Sequence, residues 1–465
     1  MPPSLAPPAF APDDPAALPL RPLDPAALDE ALAALPPEQA AWARASGFKA
    51  GAGEVVLLPG AGGQAAGALL GRGKAPARGR ERFALARAAS RLPEGTWRLE
   101  GTLPEREARE AALGWLLEGY RFARYKDQAP PKARLVVPEG VDAARLEVLA
   151  GAEFLARDLI NTPAADLGPA ELEAAAREVA SRHGATISVT TGEALRDGFP
   201  MIHTVGRAAA PHRAPRLIDM AWGGEGPALT LVGKGVCFDT GGLDIKPSAS
   251  MLTMKKDMGG AATALALAQA IMALGLAVRL RVLIPAVENA VGSDAFRPGD
   301  ILRSRKGLTV EVNNTDAEGR LILADALALA AEGEPGLTVS FATLTGAARV
   351  ALGPDLAPFF TDDEGLAQAL HRGGADWADP VWHLPFHEPY EAMIEPGYAD
   401  LDNAPSGGMA GAITAALFLR RFAPPRYCHF DIFAWSQNGA PGRSKGGLWQ
   451  GARALLAALP EVLES

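Results

Sequence analysis

The period of apolar positions along this chain changes repeatedly, and each change marks an element. In residues 25–150, short apolar runs such as "EVVLLPG" and "ARLVVPEG" alternate with Ala/Leu/Glu-rich stretches of helical spacing, for example "EREAREAALGWLLEGYRFARYK" (105–126). Alternation of that kind predicts a small α/β domain. "DAARLEVLAGAEFLARDLIN" (142–161) predicts one long helix, ended by the breaker-rich "NTPAADLGP". The domain change is expected on or near this helix. Beyond it the pattern reads strand, loop, helix in repetition. Strands are expected at "ALTLVGKG", "RLRVLIPAV" (279–287), "LTVEVNN" (308–314) and "LTVSFATLTG" (337–346), and a helix at "GRLILADALALAAE" (319–332). Buried strands separated by helices imply a central mixed, mostly parallel sheet flanked by helices.

The expected fold class is therefore α/β, a small N-terminal α/β domain followed by a larger α/β domain. Residues 1–24 are rich in Pro and Ala and read as an extended N-terminal arm. Residues 25–145 form the expected N-terminal domain and 146–465 the larger one. A chain of 465 residues is too long for one ordinary core, which agrees with two domains. The run "GGAATALALAQAIMALGLAV" (259–278) approaches the length of a membrane span. It is mostly Ala and Gly and lies between charged motifs, so a buried helix is expected.

Charge and cysteine content narrow the function classes. The net charge of -9 argues against nucleic acid and anionic membranes as partners, since both need a basic surface. Two cysteines, Cys237 and Cys428, suggest a reducing compartment and no disulfide framework. The N-terminus has no basic region followed by an apolar core, so no secretory signal is read there and a cytoplasmic location is expected. Cys237 reads as a buried strand residue rather than a nucleophile. "GKGVCFDTGG" lacks the Lys-Ser/Thr of a P-loop. No "HExxH" occurs, and the seven histidines lie outside the polar motifs, which argues against histidine-ligated zinc and against Ser-His-Asp or Cys-His catalysis.

Acids and cations instead gather where strands end. Lys234 closes "LVGKG"; Asp239 lies in "CFDTGG", Lys246 in "LDIKPS", Asp257 in "MKKDMGGAA", and Asp316, Glu318 and Arg320 in "NTDAEGR". The carboxyl ends of strands are where open α/β sheets bind ligands. Glycines 241, 242, 259, 260 and 319 let several backbones approach one point. Acids brought together must be neutralised, or they protonate. A pair of bound divalent cations is one solution. A desolvated lysine beside such ions can lose its proton and ligate, while another can stay charged and polarise a carbonyl. An arginine suits a planar anion, because its fork matches two oxygens.

"GKGVCFDTGGLDIKPS", "MKKDMGGAA" and "NTDAEGR", in this order and spacing, resemble the leucyl aminopeptidase family of dinuclear metallopeptidases. The resemblance extends to "RDLINTPAADLGP", "ATLTGA" (342–347) and "ADLDNAPSGGMAGAITAALFL" (399–419), and spans roughly residues 115–455. It implies an exopeptidase that hydrolyses the first peptide bond of peptides with a free N-terminus, with a water shared by two Zn or Mn ions. It also implies that Lys234, Asp239, Asp257 and Glu318 hold the looser ion and that Asp239, Asp316 and Glu318 hold the other. Lys246 would stabilise the oxyanion, and Arg320 would hold a bicarbonate that acts as base. Met254, Thr343 and Ala347 would line the pocket for the N-terminal side chain. Leu344 and Gly346 would meet the substrate through their backbone. A homohexamer is implied as well. Departures from the family pattern are the Pro/Ala-rich start, "GRSKGGLWQGARALLAAL" near the C-terminus, and Asp244 where many relatives carry a small polar residue. Asp244 reads either as a turn cap or as a perturber of Lys246. Two other readings compete, a dinuclear phosphoesterase and a structural or DNA-binding role. The lysine inside the acid cluster argues against the first, and the acidic net charge against the second.

Overall fold

The computed structural model describes residues 7–333 and 336–464. The chain divides into two compact units. Among the described residues, 155–436 with 446–464 form one, and 7–154 with 437–445 form the other.

The N-terminal unit is built on a five-stranded sheet in the order Val55–Pro59, Ala65–Gly71, Leu18–Leu23, Gly95–Leu99, Ala133–Leu135. Its middle strand comes from the stretch expected to be an extended arm, so that expectation is corrected for residues 18–23. Leu18–Leu23 runs parallel to both neighbours, and Leu20 is fully buried. The alternation in "LPLRPL" is that of a strand, but Pro19 and Pro22 read as breakers because proline cannot donate to a ladder. The helix expected at 105–126 is shorter, Glu105–Glu118, and buries Leu113, Trp115, Leu116 and Leu117.

The larger unit holds, among the described residues, a nine-stranded sheet. Its backbone of order is Val381–Leu384, Ala357–Thr361, Tyr427–Asp431, Leu337–Ala342, Ala228–Gly233, Arg279–Asn289, Arg216–Trp222 and Thr186–Thr190. Gly235–Asp239 pairs on the upper part of Arg279–Asn289. Five of the pairings are parallel and three antiparallel, a mixed, mostly parallel sheet. The central strands are apolar on both faces, as strands covered on both sides must be. Val339, Phe341, Leu229, Leu231 and Val232 are all fully buried.

The Ala-rich run forms the helix Gly259–Ala273, buried along nearly its whole length. Among the described residues no helix is long and apolar enough to cross a membrane. This helix starts directly against the sheet. A Cβ on Gly260 would lie 2.1 Å from the Phe341 carbonyl oxygen and 2.9 Å from the Lys234 nitrogen, so only glycine permits the approach. The helix Glu318–Ala331 packs Leu321, Ile322, Leu323 and Leu327 into a cluster with Val232, Leu283, Val287, Ile202 and Phe418.

One strand differs from expectation. "LTVEVNN" does not join the main sheet. Only Thr309–Glu311 is extended, and it pairs with Ile301–Arg303 and Leu401–Asp402 in a small side sheet. The "NTDAEGR" turn therefore leaves this side sheet rather than a central strand.

Candidate metal centre

Three segments deliver the acids. Gly235–Asp239 ends on Asp239. The short helical turn Met254–Met258 carries Asp257 ahead of the long buried helix. The turn after Glu311 carries Asp316, and Glu318 is the first residue of the helix Glu318–Ala331. Single carboxylate oxygens of Asp239, Asp316 and Glu318 all lie within 4.8 Å of one another. Asp316 and Glu318 thus converge because the backbone turns between them; on a continuous helix, positions two apart would diverge.

Both lysines reach the same cluster. The Lys234 ammonium is 2.7 Å from Asp257 Oδ2 and 2.9 Å from Glu318 Oε1, and it donates to the Thr343 carbonyl at 3.2 Å. The Lys246 ammonium is 2.8 Å from Asp239 Oδ2 and pairs with Asp316. Lys234, Asp239, Asp257 and Glu318 are almost completely buried.

Burial and crowding set the protonation states. Burial, then the charge of Asp239, pushes the Glu318 carboxyl up to about 8. The same two causes raise Asp316 to about 6. Burial pulls Lys234 down, but Asp257, Glu318 and Asp239 outweigh it and hold the ammonium above the ordinary lysine value. Lys246 is raised in the same way, burial being overcome by Asp239 and Glu318. The sequence reading allowed a desolvated lysine beside divalent ions to lose its proton and ligate. With only protein groups around Lys234, its three acid neighbours keep it charged, and deprotonation requires a competing cation.

The donor set fits divalent cations. Apart from the lysine ammonium groups, neither oxygen of Glu318, nor Asp316 Oδ1, nor Asp257 Oδ2 has a hydrogen-bond partner, although all are buried. Buried oxygens left without donors are costly unless a cation meets them. Oxygen donors with one amine suit Mn or Zn, and metal ions placed there would take over from the Lys234 ammonium as countercharge.

Arg320 lies in the first turn of the same helix, nearly buried. Its Nη1 donates to the Asn403 carbonyl, while its Nε has no hydrogen-bond partner. Burial lowers its pKa to about 10. Thr343 donates to Asp257 Oδ1 at 2.7 Å, which places it in the cluster itself. Leu344 follows on the same loop, and Gly346 and Ala347 open the short helix Gly346–Leu352. The Leu344 N–H donates to Asp431 Oδ1 at 3.0 Å, so only its carbonyl remains to meet a substrate. Met254 is half-buried at the start of the turn that carries Asp257.

Four supporting residues escaped the sequence reading. Asn289 donates to Asp239 Oδ1 at 2.8 Å. Thr315 sits between the two acid loops, fully buried. Asn403 accepts from the Asn313 and Asn314 N–H groups and donates to the Asn314 carbonyl. Asp431 accepts from Leu344, Thr345 and the Thr345 hydroxyl. The available signal was an Asn or Asp at the end of an apolar run, in "IPAVEN", "ADLDN" and "CHFD".

The sequence profile described as the cytosol aminopeptidase family, catalytic domain, matches residues 154–456. The chain belongs to the cytosol aminopeptidase family. A second profile, the M17 aminopeptidase N-terminal domain, matches residues 18–138 of this aminopeptidase. The probable cytosol aminopeptidase of Roseiflexus castenholzii is 41% identical over 377 residues, covering 77% of each chain. The cytosol aminopeptidase of Encephalitozoon cuniculi is 37% identical over 334 residues, covering 70% of this chain and 68% of its own. The crystal structure of cytosol aminopeptidase from Coxiella burnetii is 42% identical and superimposes with a TM-score of 0.92 over 97% of this chain and 98% of that one. The bottromycin maturation enzyme BotP, in complex with Mn, is 33% identical with a TM-score of 0.86, covering 96% and 99%. This metallo-aminopeptidase is a leucyl aminopeptidase-type, metal-dependent exopeptidase.

Proposed function

We propose that the aminopeptidase holds two divalent ions, Mn or Zn, in the buried acid cluster and removes single residues from peptides with a free N-terminus. Lys234, Asp239, Asp257 and Glu318 hold one ion. Asp239, Asp316 and Glu318 hold the other, so Asp239 and Glu318 are shared. The observation that carries this reading is the pair of Glu318 oxygens, buried beside Asp239 and Asp316 and met by no donor other than the Lys234 ammonium.

When bound, such ions supply Lewis acidity and a nucleophile available near neutral pH. The chain's own groups do the rest. Lys246 keeps its proton, and its ammonium faces the shared Asp239, where it offsets negative charge growing on the scissile carbonyl oxygen. Arg320, with an unpartnered buried Nε, holds a small planar anion, bicarbonate, as proton acceptor. Residues 343–347 and Met254 surround the N-terminal side chain. A neutral α-amine is needed at the Lys234–Asp257 end of the cluster, which restricts cleavage to free N-termini. The reading places residues 146–465 in the catalytic domain, in the cytoplasm, within a homohexamer; the family membership supports these assignments.

The test uses purified protein loaded with Mn or Zn and a varied panel of peptides, free and N-acetylated. Residues are expected to be released one at a time from free peptides only, and chelation stops release. Failure to release a residue from any free peptide would overturn the reading.

A further inference from the structure

The two acid-bearing loops are held together by residues that do not belong to the ligand set. Thr315 immediately precedes Asp316, and every polar atom of Thr315 is engaged. Its N–H donates to Asp244 Oδ2 at 2.8 Å. Its hydroxyl accepts from the Asp244 N–H at 2.8 Å and donates either to the Gly241 carbonyl at 2.6 Å or to Asp244 Oδ2 at 3.1 Å. Its carbonyl accepts from the Asn289 side-chain amide at 3.1 Å. The same amide donates to Asp239 Oδ1 at 2.8 Å. The Asn289 backbone carbonyl accepts from Thr240 N–H and Oγ1, at 3.1 and 2.8 Å.

We infer that Thr315, Asn289 and Asp244 are positioning residues, a latch that fixes the separation between Asp239 on one loop and Asp316 and Glu318 on the other. The inference rests on the reading of those three acids as metal ligands. The physical need is clear. Asp239 and Asp316 repel each other, and the pair has no continuous secondary structure between them. Asp239 ends a strand of the main sheet, whereas Asp316 leaves the small side sheet. The Lys246 ammonium pairs with both acids, but from the end of a flexible side chain; without ties at the loop backbones, the loops would relax apart and the ligand oxygens would lose their common centre. A site that is correct in composition but loose by 1 Å binds and reacts poorly, on the order of a hundredfold worse.

The latch also explains Asp244. Its side chain bonds to Thr315, so it works as a cap on the opposite loop. It is exposed, and it meets Thr315 with both its N–H and its carboxylate. Space is tight at the joint. A Cβ on Gly242 would lie 2.9 Å from Thr315 Oγ1 and 3.1 Å from Asn289 Oδ1, so a bulkier residue there would wedge the latch open.

The experiment measures Mn binding to the full-length protein by titration calorimetry, with stoichiometry, and the melting temperature of the metal-free form. Thr315→Val keeps the shape and removes the hydroxyl. Mn affinity is expected to fall at least tenfold for one or both ions, with the metal-free melting temperature little changed. Thr315→Ser, which restores the hydroxyl, should return affinity to within about threefold of wild type. Asp244→Ala, at an exposed position, guards against a folding defect and should weaken Mn in the same direction. Its loss should not add fully to that of Thr315→Val, because the two share one joint. Wild-type Mn affinity and stoichiometry in both Thr315→Val and Asp244→Ala would overturn the latch and leave the metal centre standing. Absence of Mn binding in the wild type would overturn the metal reading and the latch together.

Discussion

Gly319 offers a sharp test, because it lies between Glu318 and Arg320 and its missing side chain makes room for Lys234. A Cβ at this position would lie 2.5 Å from Lys234 Cε, 2.7 Å from Nζ and 2.8 Å from Cδ. Ordinary carbon contacts are near 3.5–4.0 Å, so Gly319→Ala must displace the lysine tail by about 1 Å. The backbone of the helix Glu318–Ala331 is not free to move instead, since Leu321, Ile322 and Leu323 are fully buried behind it. The displaced ammonium then loses its geometry with Asp257 and Glu318, now 2.7 and 2.9 Å away. A 1 Å misplacement at a reacting centre costs roughly a hundredfold in rate. The substitution itself favours the helix by up to about 1 kcal/mol, since alanine loses less backbone entropy than glycine. Gly319→Ala should therefore still fold, with the helix gain offset by about 1–3 kcal/mol of overpacking against Lys234, while kcat/KM for a free peptide falls at least tenfold. Circular dichroism melting and steady-state kinetics at saturating Mn read the two effects separately. Wild-type kcat/KM in this variant would refute the role of Lys234 in the cluster.

Three further outcomes follow from the same geometry. Mn at a hundredfold excess over Kd should stabilise the folded protein by about 2.7 kcal/mol for each ion bound, seen as a rise in melting temperature that Glu318→Ala abolishes. Arg320→Lys keeps a charge but loses the fork, so kcat should fall at least tenfold, and added bicarbonate should not restore it. Asp325, fully buried, accepts from the Met201, Ile202 and Arg305 N–H groups, and burial pushes its carboxyl up to about 7 from 3.8. The folded state then holds this proton more tightly than the unfolded state, so its contribution is full below about pH 4 and is lost as pH rises through 7. Asp325→Ala should cost at least about 2 kcal/mol by orphaning three donors, and urea melts from pH 5 to 8 should show a flatter pH slope than wild type.

How much of this was visible in the residues depends on where the physics acts. The buried strands Ala228–Gly233, Arg279–Asn289 and Leu337–Ala342 and the helices Gly259–Ala273 and Glu318–Ala331 lie close to their expected positions, because continuous apolar runs and helical spacing are local signals. The gathering of Lys234, Asp239, Asp257, Asp316 and Glu318 was legible from glycine turns at strand ends and from the family motifs. The central strand Leu18–Leu23 was hidden by Pro19 and Pro22, whose local cost is overridden by pairing on both sides. "LTVEVNN" was assigned to the main sheet because its residues favour strands, but pairing partners are a tertiary matter, and Thr309–Glu311 finds them in the side sheet. Asn289 and Thr315 were missed because a polar residue's value as a tie depends on a loop distant in sequence, 26 residues apart in their own case.

The central claim is that acids from separate loops converge on divalent ions. It is tested most directly by anomalous diffraction from crystals grown with Mn. The account predicts two anomalous peaks per chain, both touching Asp239 and Glu318, with Lys234 and Asp257 on one and Asp316 on the other. Crystals saturated with Mn that place no ion between Asp239 and Glu318 would contradict it.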